Sequence, residues 1–328
     1  MEIRKHIADL LFLAVILILV LVMLYSGLRI WESTVLHSDQ APEETFVSKV
    51  VIRNGIEYFP RQDITTVLVM GIDQFGPVEK SSSYTNTGAA DMNVLMVFDE
   101  SAHTCTLIYF NRDTMVEMPV LGLGGRPAGT YYGQLALSHT YGSGLNDSCE
   151  NTAQTISNLL YGAAIDYYVS MNMDAIAIFN DAVGGVTVDV TEDFSAVDAT
   201  IGTGSVTLRG EQAIHYVRSR QGVGDQLNTS RIERQKQYLD GFRDAFKQQF
   251  EAEPTFFTAA YEQAKPYVVT DCSFNAIFGM LEHYGDYEVT EIISPQGESV
   301  LGEKYYEFHL DEKALEELVL RVFFEPKG

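Results

Sequence analysis

Three apolar β-rich runs lie close together in the chain, and each begins or ends on a charged residue. ITTVLVMGID closes on Asp73, DMNVLMVFD opens on Asp91, and TCTLIYFNRD closes on Arg112 and Asp113. A Ser-, Thr- and Gly-rich loop, roughly residues 74–90, joins the first two. Short connections favour antiparallel neighbours. With alternating strand direction, the end of the first run, the start of the second and the end of the third share one edge of a sheet. Asp73, Asp91, Arg112 and Asp113 are therefore expected on a common rim. A second strand that crossed over to lie parallel would break this convergence.

A second feature is RSRQGVGDQLNTSRIERQ, from Arg218 to Gln235. It gathers Arg218, Arg220, Arg231 and Arg234 in a chain with 22 Lys plus Arg, 45 Asp plus Glu and a net charge of -23. The arginine fork matches phosphate and carboxylate geometry. Such an island is either a site for a phosphorylated ligand or a set of structural ion pairs. Ser230-Arg231-Ile232-Glu233 fits a capping box, which predicts a helix from there through Phe250 with Ile232, Leu239, Phe242 and Phe246 buried. Arg231 and Gln235, four apart, share a face of that helix, with Arg234 beside them. A cation in the first turn meets the positive end of the helix dipole, at a cost of a few tenths of a kcal/mol or more. An anion bound there offsets that cost. Asp73 and Asp91 supply the other half of a metal–phosphate site, since Mg²⁺ usually takes one or two carboxylates plus phosphate oxygens. Taken singly, each aspartate is equally a turn or cap residue.

Further along, SCENTAQTISNLLYG reads as an amphipathic helix that starts near Asn146 or Ser148 and ends before Gly162. IDYYVSMNMDAIAIFNDAVGGVTVDV reads as strand, helix and strand, broken at Gly184-Gly185. GEQAIHYVRSR is a short helix or strand, and DEKALEELVLRVFF closes the chain with a helix. His139 and His215 are too far apart to read as a metal pair and fit hydrogen-bonded core or surface positions. Cys105, Cys149 and Cys272 match no zinc spacing and allow one disulfide at most. Two triplets, at Asn146 and Asn228, match glycosylation sequons, a pattern that also arises by chance. GxSxG, P-loop and GxGxxG signatures are absent.

At the N-terminus, Leu10–Leu24 carries no charge. With the residues that follow, it reaches the length of a bilayer-crossing helix. Arg4 and Lys5 precede it, Arg29 follows it, and Trp31 suits the outer interface. No small-x-small cleavage site follows, which favours an uncleaved anchor over a signal peptide. The expected layout is residues 1–9 cytoplasmic, 10–28 membrane-spanning, 29–62 an extracellular linker and 63–328 one folded domain. A composition of 46% hydrophobic residues argues against disorder. The acidic balance excludes nucleic acid as an expected partner.

The anchor, VLVMGID, Asp91 opening an apolar strand, FNRDT, SHTYG, DAVGGVTV, LRGEQAIHYVRSR and RIERQ, in this order, resemble the LytR-CpsA-Psr family of cell-wall assembly enzymes. The resemblance is strong from Thr65 to Phe246. It implies an α/β fold, a three-layer α/β/α sandwich on a mixed, largely antiparallel sheet, with an apolar pocket for a lipid chain and an N-terminal transmembrane helix. It also implies an extracellular, single-pass membrane phosphotransferase that moves a glycosyl-phosphate polymer from a polyprenyl-pyrophosphate carrier to peptidoglycan, with Mg²⁺ or Mn²⁺ as cofactor. Asp73 and Asp91 would be the metal-associated carboxylates. Arg112, Arg218, Arg220 and Arg231, with Gln235, would clamp the pyrophosphate, while Asp113 and Arg234 support the site. Asp91, Arg112, Arg218 and Arg220 would take part in catalysis, with Asp91 as an acceptor for the attacking hydroxyl's proton.

The chain departs from the family pattern at Ala89, where an arginine is usual, and at Asn228, where an aspartate is frequent. A missing clamp arginine weakens pyrophosphate binding by about 1–3 kcal/mol unless Lys80 or Arg126 replaces it. Two other readings remain open: a non-catalytic binder of polyprenyl pyrophosphate or glycan, favoured by Ala89, and a polyprenyl-pyrophosphate hydrolase.

Overall fold

The computed structural model describes residues 50–53, 55–122, 125–253, 256–272, 283–284 and 287–327. At its centre is a six-stranded sheet. Its strands in chain order are β3 (Ile64–Ile72), β4 (Ala90–Asp99), β5 (Thr104–Phe110), β8 (Tyr167–Asn172), β11 (Val268–Thr270) and β12 (Glu288–Ile293). Their spatial order is β11-β8-β3-β4-β5-β12. β3, β4 and β5 alternate in direction, as expected, and β11 is antiparallel to β8. β8 lies parallel to β3 and β12 parallel to β5, so the sheet is mixed.

Both faces of the sheet are covered, which is why its strands read as near-continuous apolar runs. Alternate residues of β3 divide between two cores. Val67 and Val69 join a core with α2 (Met173–Ala182), α3 (Glu211–Arg218), α4 (Asn228–Ala252) and α5 (Phe256–Ala264). Leu68 and Met70 face the other core, with α1 (Asn146–Leu159) and α6 (Glu312–Phe323). The result is an α/β/α sandwich. Helix α6 is capped by Asp311, whose side chain accepts from the backbone N–H of Lys313 and Ala314.

Smaller elements frame the sandwich. β6 (Met115–Leu121) and β7 (Pro127–Gln134) form a hairpin, as do β13 (Gly297–Leu301) and β14 (Tyr306–Leu310). β9 (Val186–Val190) pairs with β10 (Gly204–Leu208).

Two expectations change and one open reading is settled. Within the expected linker 29–62, β1 (Val51–Arg53) and β2 (Ile56–Pro60) pair with each other, and β15 (Phe324–Pro326) joins β2. GEQAIHYVRSR resolves to a helix. The capping box at Ser230 does not form: α4 starts at Asn228, and Ser230 Oγ instead donates to Asp225 Oδ1 at 2.7 Å. Residues 1–9 and the expected transmembrane segment 10–28 lie outside the described residues. Among the described residues no helix is long and apolar enough to cross a membrane.

Candidate active site

The rim forms where β3 ends and β4 begins. Ile72 pairs with Ala90 and Gly71 with Met92, so Asp91 is the extra residue of a β-bulge. A bulge interrupts the ladder and re-aims the side chain it carries. Asp91 is almost fully buried, with its oxygens held by two arginines: Arg112 Nη1 at 2.7 Å and Arg231 Nη1 at 3.0 Å. Beyond β5, Asn111 makes an Asx turn in which its Oδ1 accepts the Asp113 N–H at 3.0 Å. The Thr114 Oγ1 hydroxyl donates to Asn111 O at 2.6 Å. This turn, written in the sequence NRDT, places Arg112 and Asp113 side by side at the sheet edge.

The arginines arrive from the opposite wall. Arg218, the last residue of α3, grips Asp73 bidentately, Nε to Oδ1 at 2.6 Å and Nη2 to Oδ2 at 3.2 Å, and lies over the Phe75 ring. Arg220 Nη1 donates to Asp113 Oδ2 at 2.9 Å. Arg231, 2% exposed, reaches Asp91 from the first turn of α4. One turn on, buried Gln235 donates Nε2 to Val217 O at 3.1 Å, tying α4 to α3. Arg234 turns away from the rim. It binds Glu192, the carbonyls of Tyr216 and Ser219, and the face of Phe194, and so braces the loop that carries Arg220. Its expected supporting role is structural.

Four clamp arginines therefore meet three carboxylates. Burial pushes the Asp113 carboxyl up, with Arg112 and Arg220 opposing that shift. Burial also pulls Arg231 down from its usual range, opposed by Asp91, and the hydrogen bond to Asp73 pushes Arg218 up. Arg231 and Asp91 are both almost fully buried, and each offsets the other's loss of water.

Directly behind the rim, a cavity of about 100 Å³ runs between the sheet and helices α2 and α4. Val69, Met92, Val94, Met171, Ile176 and Phe242 are among its apolar walls. Asp91, Arg218, Arg231 and Gln235 line the same cavity and bring charge to it. The methionines suit a flexible apolar guest, since thioether chains adapt to irregular shapes.

The site thus gathers Asp73, Asp91, Arg112, Asp113, Arg218, Arg220, Arg231 and Gln235, all named from sequence. Among the described residues, Lys80 and Arg126 make no ion pair with Asp73, Asp91 or Asp113. His215 pairs with Asp198 at 2.9 Å, and His139 is buried and bonded to Gly88 O at 2.7 Å. The three cysteines are buried and free, with the Cys149 and Cys272 thiols pushed up to about 12 by burial. Sequence reasoning missed Gln134, whose Nε2 donates to Asp113 Oδ1 at 2.9 Å, and Glu192, the partner of Arg234. Both act through contacts across many residues of chain, for which a single sequence holds no local signal.

Among the described residues no cluster of three or more His, Cys, Asp or Glu side chains gathers to hold a metal. The two carboxylates at adjacent strand ends, Asp73 and Asp91, are both ion-paired with arginines.

The fold and site define an α/β/α protein with an arginine–carboxylate centre at an apolar cavity. The sequence profile of the LytR_cpsA_psr family matches residues 25–321, and the chain belongs to that family. Among curated relatives, it is 28% identical to the polyisoprenyl-teichoic acid–peptidoglycan teichoic acid transferase TagU of Bacillus subtilis, over 55% of this chain and 52% of the relative. It is likewise 28% identical to TagT of that organism, over 58% of this chain and 55% of the relative. The chain thus spans about half the length of the curated relatives it matches. In fold it is similar to the crystal structure of B. subtilis TagV, with a TM-score of 0.59 and 22% identity over 80% of this chain and 96% of that one. A structure of TagT bound to LI-WTA gives a TM-score of 0.58 and 23% identity, over 80% of this chain and 90% of that one.

Proposed function

We propose that the protein is a membrane-anchored, extracellular phosphotransferase that moves a glycosyl-phosphate polymer from a polyprenyl-pyrophosphate carrier to peptidoglycan. The observation that carries this reading is the union of an apolar cavity with two arginines that line it, buried Arg231 and half-exposed Arg218. A ligand that fills both has a long apolar tail and an anionic head, as a polyprenyl pyrophosphate does. The names of the TagU and TagT relatives support the same substrate pair. The uncharged run Leu10–Leu24 supports the anchor.

In this reading, the prenyl chain lies between the sheet and α4. The pyrophosphate displaces aspartates from Arg112, Arg218, Arg220 and Arg231, and Gln235 donates to it. Phosphoryl transfer asks for in-line positioning and charge neutralisation more than for covalent help. An acceptor hydroxyl oxygen attacks the phosphorus that bears the glycan. A P–O bond forms to the acceptor, the P–O bond to the bridging oxygen breaks, and polyprenyl phosphate leaves. Asp91 takes the hydroxyl proton once the pyrophosphate has drawn an arginine away from it. Asp73 and Asp91 would hold Mg²⁺ or Mn²⁺, which supplies further positive charge to the pyrophosphate when bound.

Ala89 favours a second reading, a binder without transferase activity, because it removes one cation from the clamp. The test uses the full chain in detergent micelles with polyprenyl-pyrophosphate glycan, peptidoglycan fragments and Mg²⁺. Wild type yields a phosphodiester-linked product, and Arg231→Ala lowers kcat/KM by about 10²–10³-fold. Tight binding without product supports the binder instead, and release of polyprenyl phosphate without acceptor supports the hydrolase.

A further inference from the structure

The segment that delivers Asp91 hangs from a buried histidine on the far side of the loop. His139 is 2% exposed, and its Nδ1 lies 2.7 Å from Gly88 O. A carbonyl only accepts, so Nδ1 carries the proton and donates. Nε2 then faces Cys149 Sγ at 3.9 Å, and the Cys149 thiol donates to Ser170 Oγ at 3.3 Å. Asn86 completes the attachment. The two N–H groups of its Nδ2 are shared among His139 O at 2.8 Å, Gly142 O at 3.1 Å and Ser148 Oγ at 3.1 Å, and its Oδ1 accepts the Gly88 N–H at 2.7 Å. Gly88 is held at both its N–H and its C=O. A Cβ there would lie 2.7 Å from Ile72 Cγ2, so the segment is also packed tightly against β3.

The next residue converts this anchor into site geometry. Ala89 O accepts the backbone N–H of Asp73 at 2.9 Å and that of Asp91 at 3.0 Å. One carbonyl therefore joins the two carboxylate-bearing residues, and the residue before it, Gly88, is the one held by His139 and Asn86. We infer that His139 is a positioning residue: through Gly88 and Ala89 it sets the relative placement of Asp73 and Asp91 without touching substrate. Among the described residues, the His139 ring meets Gly88 O and Cys149 Sγ and not an arginine side chain, and it does not line the cavity. Its loss should therefore spare lipid binding and damage the carboxylate arrangement.

This inference goes beyond the proposed transfer reaction and has a readout independent of it. Amide hydrogen exchange at Asp73 and Asp91 is measured in the full chain in micelles without substrate, for wild type, His139→Ala and His139→Asn. The asparagine amide places an N–H donor where Nδ1 lies. In His139→Ala, the two amides exchange about tenfold faster while amides of β5 and β12 are unchanged. With substrate, kcat falls about 10²-fold at unchanged KM for the lipid carrier, as a small misplacement of reacting groups implies. His139→Asn restores both. Should His139→Ala not fold, His139→Phe, which keeps the ring's bulk and removes the donor to Gly88 O, carries the same comparison. Unchanged exchange at Asp73 and Asp91 would overturn the inference. So would a uniform rise across the sheet that asparagine does not reverse, since that marks a plain core residue. A wild type that makes no product overturns the transferase reading and leaves exchange to decide this one.

Discussion

Arg231 and Arg218 carry the same charge and differ in consequence because one is buried and the other is 42% exposed in its side chain. Removing Arg231 leaves Asp91 buried with half its pairing, which costs about 3–5 kcal/mol. Removing Arg218 costs about 1 kcal/mol or less, because exposed pairs are screened and entropically taxed. Urea unfolding of Arg231→Ala and Arg218→Ala should show this gap, and equal losses would contradict it. His139 gives a second residue-level prediction. Burial holds its pKa down to about 4 against an ordinary 6.5, opposed by Gly88 O and Asp147. Below pH 6.5 the unfolded chain takes up a proton that the folded one refuses until about pH 4. Stability attributable to this ring is thus present above pH 6.5 and declines by about 3 kcal/mol as pH falls toward 4. Comparing the acid limbs of wild type and His139→Asn in thermal unfolding isolates that share. Much of this residue-level chemistry was legible: a cluster of arginines in an acidic chain, and aspartates at strand ends. Gln134 and Glu192 were not, because each meets its partner across 21 and 42 positions of chain.

At the scale of elements, β3, β4 and β5 were readable because burial on both faces leaves a near-continuous apolar run between charged ends. The rim followed from strand direction alone. Strands β1, β2 and β7 escaped because their residues are largely exposed or half-buried, so no hydrophobic period marks them, while β6 offers only the short alternation of Val116 and Met118. Helix α4 was placed two residues late, since Ser230 spends its hydroxyl on Asp225 rather than on a cap. The cavity between the sheet and α4 had no sequence signal of its own, because its lining comes from several separate segments. It makes a prediction that belongs to these elements together. Ile176→Trp, on α2, fills the channel and should weaken binding of long-chain polyprenyl pyrophosphate by at least about tenfold, while a short-chain prenyl pyrophosphate, held by the arginines, binds as before. Calorimetric titration with both ligands checks it. Equal loss for both would place the tail elsewhere.

For the whole molecule, a net charge of -23 surrounds a centre that needs cations. The acidic exterior repels free anions, so a phosphorylated ligand gains entry through its apolar part as well as its charge. In the proposed reading, that combination favours a lipid-linked pyrophosphate over a soluble phosphate. The most direct test is the transfer reaction itself, run with the full chain in micelles and with Asp91→Ala as control. Polyprenyl-pyrophosphate glycan, peptidoglycan fragments and Mg²⁺ should give a phosphodiester-linked glycan on peptidoglycan and one polyprenyl phosphate per link. The Asp91→Ala protein should give neither. Carrier that binds tightly but stays intact, or polyprenyl phosphate released without any glycan on peptidoglycan, would contradict the account.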